Sequence, residues 1–146
     1  MNTFGLTFDH LGLAVRKPDK ALRFLEASGY KATGTVYDGE QNVNLIMCTS
    51  DTMPNVELIF PGESKGPVHK ILERVDSGIY HMCFSTARPQ ESIDQMKTGG
   101  LRVVCLSPPK PAILFQGRMV SFYNVIGFGV IELIEAEGVV SDHCSA

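Results

Sequence analysis

The chain has 146 residues, 44% hydrophobic and 20% charged, which predicts one globular domain or two small modules that share a core. Its formal net charge of −3 gives no electrostatic basis for binding nucleic acid or an anionic membrane. No apolar run reaches the ~18 residues that span a bilayer, and the first residues lack the basic and apolar regions of a signal peptide, so a cytoplasmic protein is expected.

The first half of the chain predicts the order βαβββ. Pro18 suits the first position of the helix and Gly29 suits its end, while Asp38-Gly39 signals a turn between strands. The predicted elements are a strand at 7–15, a helix at about 18–28, and strands at 30–37, 43–49 and 56–60.

A connector leads to a second half with the same predicted order. The connector, 62–78, contains a short helix that begins at Pro67, carries an apolar stripe that includes Val75, and ends at Gly78. A strand around His81 comes next. The later predicted elements are a helix from Pro89 to Gly99, a strand at 101–106, a stiff proline-rich loop at 107–111, strands at 120–123 and 129–134, and a polar tail from Gly138.

The two halves repeat the same residue types at matched positions. A histidine in the first strand is followed by a proline and a glycine at equal spacings, and the last strand carries a glutamate. These residues are His10, Pro18, Gly29 and Glu57 in the first half, and His81, Pro89, Gly100 and Glu132 in the second. A repeat of about 70 residues exceeds the roughly 20–50 of solenoids. It predicts a single domain over 1–146, divided into module 1 (6–62), connector (63–78), module 2 (79–137) and tail (138–146).

His10, Glu57, His81 and Glu132, here called the quartet, are the candidate metal ligands. Each interrupts an apolar strand, where a polar side chain is costly to bury without a partner. Alternation places the glutamates on the face opposite their apolar neighbours, together with the histidines, where small residues such as Gly12 leave room. Nitrogen and oxygen ligands without thiolate suit Zn, Ni, Co, Mn or Fe(II). The set therefore predicts one divalent metal ion with positions left for substrate oxygens.

The alternative reading treats each residue separately: a lone histidine on a strand is more often structural, and a lone glutamate more often lies on a solvated face. The symmetry of the quartet favours metal. His69 and His143 lack that symmetry and are expected to be exposed. Cys83 shares the face of His81 and is expected to line the cavity as a small apolar residue. The cysteines, predicted to be free thiols, are Cys48, Cys83, Cys105 and Cys144.

These residues resemble the vicinal oxygen chelate superfamily, which includes glyoxalase I, methylmalonyl-CoA epimerase, extradiol dioxygenases and bleomycin-resistance proteins. The resemblance covers about residues 7–136. It implies an α+β fold in which two βαβββ modules form a cupped, partly open β-barrel around a metal held by the quartet. The chain is most similar to epimerases in His-Leu-Gly-Leu-Ala-Val at His10 and in the stretch at 78–84. Glu40-Gln41-Asn42-Val43 resembles a segment whose glutamate acts as acid or base; read alone, Glu40 is a turn residue on a solvated edge.

Other positions depart from the families that the chain resembles. Epimerases commonly carry glutamine where this chain has Glu57, and their His-Pro-Lys-Ser segment is replaced by Tyr123-Asn-Val-Ile-Gly127, which puts a coenzyme A ester in question. The Asp-Pro-x-Gly turn of glyoxalase I is missing, and Glu57 would crowd the open positions of an extradiol dioxygenase.

The favoured hypothesis is proton transfer at a carbon next to a carbonyl, with Glu40 and Glu132 as acid and base. The expected partners are a small carbonyl acid or thioester and a second copy of the chain in a homodimer. The alternatives are a glyoxalase I-type lyase, an isomerase of a carbonyl acid without coenzyme A, and a non-catalytic binding protein. Lys110 and Arg118 are candidate anion contacts, with solvent exposure as their alternative reading.

Overall fold

The computed structural model describes residues 1–138, and its elements follow the predicted order. The first half contains β1 (Thr7–Val15), α1 (Asp19–Ala27), β2 (Lys31–Ala32), β3 (Val36–Asp38), β4 (Val43–Thr49) and β5 (Asn55–Pro61). The connector contains α2 (Pro67–Leu72). The second half contains β6 (Ser77–Thr86), α3 (Pro89–Thr98), β7 (Val103–Pro111), a 3-10 helix (Ile113–Phe115), β8 (Met119–Val125) and β9 (Gly129–Glu135).

The strands of the described chain form one open sheet in the order β2-β4-β5-β1-β6-β9-β8-β7, and β3 also pairs with β4. The two halves meet where β1 and β6 pair antiparallel. Within each half the first and last strands pair in parallel, β1 with β5 and β6 with β9. The fold is therefore two βαβββ modules joined in a single open sheet, and the predicted α+β class is confirmed.

The sheet is strongly curved at its centre. The quartet lies on four adjacent strands, β5-β1-β6-β9, one residue on each. In a flat sheet the outer two of these strands, three strand spacings apart, would be separated by about 14 Å. The ligand atoms of the quartet nevertheless all lie within 4.8 Å of one another. The sheet must therefore curl around these side chains, and its inner face forms a cup.

The helices cover the outer face and thereby fix which side chains point inward. Helix α1 packs Leu25 against Leu58 of β5, and α3 packs Met96 against Leu133 of β9. Burying a leucine side chain contributes roughly 1.5–3 kcal/mol. Because each of these strand leucines directly follows a quartet glutamate, the alternation of the strand turns both glutamates to the inner face, as predicted.

The predicted strand at 30–37 is in fact two short strands, β2 and β3, which both pair with β4. Thr33 lies between them, and its backbone N–H donates to the Met47 carbonyl at 2.9 Å. The Thr33 hydroxyl in turn accepts from the Met47 N–H at 3.1 Å. A side-chain oxygen thus replaces a backbone acceptor, and the chain leaves the ladder at Gly34.

The prediction of a loop at 107–111 is wrong. β7 continues through this segment to Pro111. β7 is the edge strand of the sheet and pairs only with β8 along the strand order. An edge strand tolerates proline because a backbone nitrogen that faces away from the partner needs no hydrogen. Register shifts on both sides of Ser107 absorb the Pro108-Pro109 pair.

The connector helix ends at Leu72, earlier than the predicted end at Gly78. The Arg16 side chain donates to the Leu72 carbonyl and so satisfies one backbone acceptor at the helix end. From Ser77 the chain already pairs with β1, which draws it into β6. Val75, predicted to belong to the apolar stripe of this helix, is 45% exposed.

Several remaining expectations concern exposure. His69 is half-buried rather than exposed, and its Nδ1 accepts a hydrogen bond from the Gly66 N–H at 2.8 Å. Cys48 and Cys83 are buried, Cys105 is exposed, and these three are free thiols. His143 and Cys144 lie outside the described residues.

Among residues 1–138, no α-helix combines the length and apolarity that crossing a bilayer requires.

Candidate functional site

The quartet converges at the bottom of the cup, where all four side chains belong to one chain. The relative exposures of His10, Glu57, His81 and Glu132 are 0%, 4%, 2% and 2%. These are among the few buried polar side chains of the described structure, and burying such groups is costly unless something satisfies them. The predicted grouping of the four is therefore seen in the structure.

The ligand atoms of the quartet face one common point. The Nε2 atoms of His10 and His81 lie 3.5 Å apart. Glu132 Oε2 lies 3.0 Å from His81 Nε2 and 3.4 Å from His10 Nε2, and Glu57 Oε2 lies 3.6 Å from His10 Nε2. Despite this closeness, Glu132 Oε2 makes no hydrogen bond of acceptable geometry within the described residues. Two imidazole nitrogens and two carboxylates around one point are a donor set that fits Zn, Ni, Co, Mn or Fe(II).

A β-bulge in β1 places Asp9 beside His10. Phe8 pairs with Phe84 and His10 with Cys83, so Asp9 is the extra residue of the strand. The bulge brings Asp9 and His10 together, and the distance from Asp9 Oδ1 to His10 Nδ1 is 2.7 Å. A carboxylate at Nδ1 holds the proton there and leaves Nε2 free to act as a ligand, which is the usual support of a metal-binding histidine.

A second β-bulge, in β6, lies at the matching position of the other module. Gly12 pairs with His81 and Leu13 with Ile79, so Tyr80 is the extra residue. Its ring lies edge-on to the His81 ring, with centroids 4.5 Å apart and an interplanar angle of 88°. Tyr80 gives His81 no hydrogen bond, and His81 Nδ1 has no partner in the described part of the chain. The two half-sites therefore differ: one has a carboxylate behind its histidine and the other a tyrosine beside it.

Gly12 provides the space that the His81 ring occupies. In the sheet, Gly12 stands between Glu57 and His81. A Cβ atom at Gly12 would lie 2.1 Å from His81 Cε1 and 2.4 Å from Nδ1 and Nε2. The sequence predicted room beside Gly12, and the structure shows that a quartet side chain fills part of it.

The charges of the quartet shift its pKa values strongly in opposite directions. Burial lowers the pKa of His10, but its contacts with Asp9 and Glu132 outweigh burial and raise that pKa to about 10. Burial and the neighbouring charge of Glu132 raise the pKa of Glu57 to about 8. Burial also raises the pKa of Glu132, but the adjacent His10 and His81 rings dominate and lower it to about 2. At pH 7, without a metal, His10 and Glu57 hold protons and Glu132 is ionised.

Aromatic side chains enclose the two histidines. Phe115 stacks on His10 with centroids 5.6 Å apart and planes at 16°. Phe122 lies edge-on to His81, with ring centroids 5.4 Å apart. These rings exclude water, which strengthens every electrostatic interaction inside the site.

Arg118 holds the 3-10 helix that carries Phe115. Its Nε donates to the Phe115 carbonyl at 3.4 Å and one terminal nitrogen donates to the Glu135 carbonyl at 3.3 Å. Its guanidinium carbon also lies 5.8 Å from the centre of the Phe115 ring. These contacts give Arg118 a structural role, and an anion contact at this residue stays a prediction from the sequence.

A cavity of about 440 Å³ is lined by Glu40 and Lys110, and also by Tyr80 and Phe122, whose rings contact the His81 ring. Glu40 is an exposed residue of the turn after β3 and does not belong to the quartet. The buried carboxylate of Asp38 fixes this turn by accepting from the backbone N–H of Glu40 at 2.9 Å and of Gln41 at 3.2 Å. The structure therefore places Glu40 at the rim of the cavity on an anchored turn.

Cys83 is fully buried on the inner face and packs with Val120 and Ile134. Burial raises the pKa of its thiol far above the usual range, so it stays protonated and is not a nucleophile. The expected role of Cys83 as a small apolar residue agrees with this environment.

Sequence reasoning missed Asp9, Tyr80 and Phe115 as parts of the site. In a regular strand, Asp9 and Tyr80 would point away from the histidines that follow them, and only the bulges bring them to the site. Phe115 stands in a segment without periodicity. The one available signal was that each quartet histidine is preceded by a residue with a polar group.

The paired βαβββ modules and the buried quartet define a class of duplicated α+β proteins with a candidate metal centre in the cup. The family model of the Glyoxalase/Bleomycin resistance protein/Dioxygenase superfamily matches residues 9–122. The chain belongs to this superfamily. No curated protein sequence matches it.

Solved structures of methylmalonyl-CoA epimerases have a similar fold. The enzyme from Mycobacterium tuberculosis is 19% identical with a TM-score of 0.71, over 89% of this chain and 86% of that chain. A variant of the Streptomyces coelicolor enzyme, in complex with 2-nitronate-propionyl-CoA, is 26% identical with a TM-score of 0.69, over 88% and 96%. An epimerase in complex with methylmalonyl-CoA and NH4+ is 25% identical with a TM-score of 0.71, over 92% and 96%.

Proposed function

We propose that this protein is a metal-dependent isomerase that moves a proton at a carbon next to a carbonyl group, as methylmalonyl-CoA epimerase does. The observation that carries the proposal is the buried convergence of the quartet; Tyr80 and Phe122, which contact His81, also line the cavity that Glu40 lines. The similarity to epimerases bound to CoA thioesters, at 25–26% identity, supports it. Homodimer formation and a cytoplasmic location stay predictions from the sequence.

In this proposal the quartet holds one divalent ion, either Co, Ni, Zn, Mn or Fe. When bound, such an ion acts as a Lewis acid and stabilises negative charge on a carbonyl oxygen. The unpartnered Glu132 Oε2 and the oxygen and nitrogen donor set support this assignment. Asp9 orients His10, and Gly12 leaves room for the ring of His81.

Two carboxylates take the acid and base roles. Glu40, exposed on its anchored turn, exchanges a proton with the α-carbon from the side of the cavity. Glu132, buried in the quartet, exchanges one from the opposite side. Removal of the proton on one face and its return on the other inverts the configuration of that carbon. The rings of Tyr80 and Phe122 keep water from the histidine beside them.

The test is α-proton exchange in heavy water. Metal-loaded protein is incubated with methylmalonyl-CoA, and deuterium at the α-carbon is followed by NMR against a chelator-treated sample. Exchange that depends on added metal supports the proposal, and absence of deuterium overturns it for this substrate. A parallel assay adds methylglyoxal and glutathione. Thioester formation there, without exchange in the first assay, would favour a glyoxalase I-type lyase instead.

Metal binding at pH 7 is expected to release about two protons, one from His10 and one from Glu57. Both groups bind protons below their raised pKa values, and a ligand must give up its proton. Between pH 8 and pH 10 the number of protons released on metal binding should fall toward one, because Glu57 is then already ionised. The apparent affinity for the metal should fall as the pH is lowered, because protons compete for the same groups. Calorimetric titration with Zn²⁺ in two buffers of different protonation enthalpy measures the number directly.

The Asp9→Asn variant serves as the control for this proton count. Its amide no longer carries the charge that helps to raise the pKa of His10. Fewer protons should then be released near pH 8, while binding persists. A heat of binding that is equal in both buffers at pH 7 would contradict the expected proton release.

A further inference from the structure

The position of the Glu40 carboxylate depends on the backbone of its turn, residues 39–42, because the side chain itself is exposed. Asp38 fixes the start of this turn by accepting from the backbone N–H of Glu40 and of Gln41. The turn ends at Asn42, whose φ of 52° lies in the left-handed region. Asparagine adopts this conformation more readily than most residues, but at some cost. The end of the turn therefore needs contacts of its own to keep its place.

Asn42 joins the turn to the loop between β5 and α2, residues 62–66, here called the connector loop. Its side-chain nitrogen lies 3.0 Å from the Ser64 carbonyl oxygen, 2.7 Å from the Ser64 hydroxyl and 3.2 Å from the Lys65 carbonyl oxygen. Its side-chain oxygen accepts from the Tyr37 hydroxyl at 2.9 Å. Both polar atoms of this amide are thus engaged, and two of its partners lie 22 and 23 residues further along the chain.

Two glycines let the connector loop approach Asn42 closely. A Cβ atom at Gly62 would lie 2.9 Å from Asn42 Oδ1, and a Cβ atom at Gly66 would lie 3.1 Å from the Asn42 carbonyl oxygen. Gly66 is also held from its other side, because it precedes α2 and its N–H donates to His69 Nδ1 at 2.8 Å. The apolar residues of α2 are buried in the core. The connector loop is therefore a firm support that lies directly against the end of the Glu40 turn.

We propose that Asn42 is a positioning residue for Glu40: by joining the turn to the connector loop, it holds the Glu40 carboxylate at the rim of the cavity. The inference rests on the proposed function, in which Glu40 exchanges a proton with the substrate, and adds a residue that acts through Glu40. Proton transfer requires the acid or base within hydrogen-bonding reach of the reacting atom, and a misplacement of about 1 Å lowers the rate strongly. Loosening the turn should therefore slow the chemistry more than it weakens binding.

The Asn42→Gly variant tests the first step, the hold on the turn. Glycine adopts the left-handed conformation readily, so the substitution removes the side-chain hydrogen bonds without straining the backbone. The readout is hydrogen–deuterium exchange, followed by NMR, of the Glu40 and Gln41 backbone amides, which donate to Asp38. Both amides should exchange at least about tenfold faster in the variant, because more than one net hydrogen bond is lost.

A second variant and a control separate this hold from the added freedom of glycine in the turn. Gly62→Ala leaves the turn sequence intact and displaces the Asn42 amide from the side of the connector loop, so it should also speed exchange of the two amides. Asn44→Ala is the matched control. Asn44 is likewise half-buried and its side-chain nitrogen donates to the Pro61 carbonyl at 3.0 Å, outside the turn. This control should leave the exchange of both amides unchanged.

The second readout is α-proton exchange of methylmalonyl-CoA by the metal-loaded protein. In Asn42→Gly, kcat should fall about threefold to tenfold while KM stays within about twofold, because Glu40 acts on the proton. The same substitution made in Glu40→Gln should cause no further loss, since Asn42 acts through Glu40. A residue with a merely structural role would lower the rate by the same factor in both backgrounds.

Each outcome bears on one of the two proposals. Unchanged exchange of the two amides in both Asn42→Gly and Gly62→Ala overturns the inference, and so does an equal loss of rate with and without the Glu40 carboxylate. Faster amide exchange, together with no α-proton exchange in the unmodified protein, overturns only the proposed reaction and supports the hold of Asn42 on the turn. Proton exchange that Asn42→Gly does not slow overturns only the positioning role.

Discussion

Replacing Glu132 with glutamine is expected to slow proton exchange strongly even when metal is restored. Glutamine keeps the size of the side chain and its amide oxygen can still face the metal, but it carries neither the charge nor the proton. Loss of an acid or base group typically lowers the rate on the order of 10²- to 10⁴-fold. Affinity for metal should also fall at least on the order of 100-fold, because even partners behind a ligand contribute 10- to 100-fold.

The measurement has two parts that separate ligand from acid–base roles. Metal content after dialysis reports affinity, and deuterium exchange at saturating metal reports the chemistry. Glu57→Gln is the matched control, because Glu57 is equally buried and undergoes the same chemical change. An amide at that position should still serve as a ligand and retain exchange within about tenfold. Thermal unfolding of both variants checks that the fold is kept.

The comparison of these two variants decides the role of Glu132. Equal losses in Glu57→Gln and Glu132→Gln, both reversed by added metal, would assign both glutamates to ligation alone. Full exchange in Glu132→Gln would contradict the proposal that this residue exchanges a proton with substrate. The pKa of Glu132, about 2 without metal, is low because His10 and His81 are adjacent. A bound metal ion changes the charge beside Glu132, so its pKa in the working enzyme differs from this value.

The quartet could be predicted because burial and alternation act on each strand separately. Leu58 and Leu133 must pack on the helices, and this requirement turns the adjacent glutamates inward whatever the rest of the sheet does. The repeat then indicates that the four inward residues occupy equivalent places. Such local rules are enough to predict the order of elements in each module, the fold class and the four residues that meet in the cup.

The surroundings of the quartet could not be predicted, because they depend on irregularities in strand pairing. A bulge inserts one residue into a strand, so every later side chain of that strand points to the opposite face from the one that regular alternation predicts. Amino-acid composition does not mark where a bulge occurs. Asp9 and Tyr80 join the site only through such insertions. The proline-rich end of β7 is a similar case, since its pairing follows from its place at the sheet edge and brings Lys110 to the inner face.

Replacing Gly12 with alanine is expected to remove metal binding while leaving the fold in place. The added Cβ would lie 2.1 Å from His81 Cε1, closer than any stable contact, so the ring must leave its position. Overpacking of this kind costs typically 1–3 kcal/mol of stability. The loss of one ligand should lower metal affinity by at least the order of 100-fold. Metal content after dialysis and denaturant unfolding measure the two effects on one sample.

Gly78→Ala is the control for this substitution. Gly78 lies on β6, paired with Ala14 of the same strand as Gly12, and a Cβ there would meet only Val75 Cγ2, at an ordinary 3.8 Å. This variant should keep its metal and change stability by no more than about 0.5 kcal/mol. Normal metal content in Gly12→Ala would mean that His81 can bind from another position, and the space at Gly12 would then be a matter of packing alone. Loss of metal in Gly12→Ala but not in Gly78→Ala would instead tie the glycine to the ligand whose ring it admits.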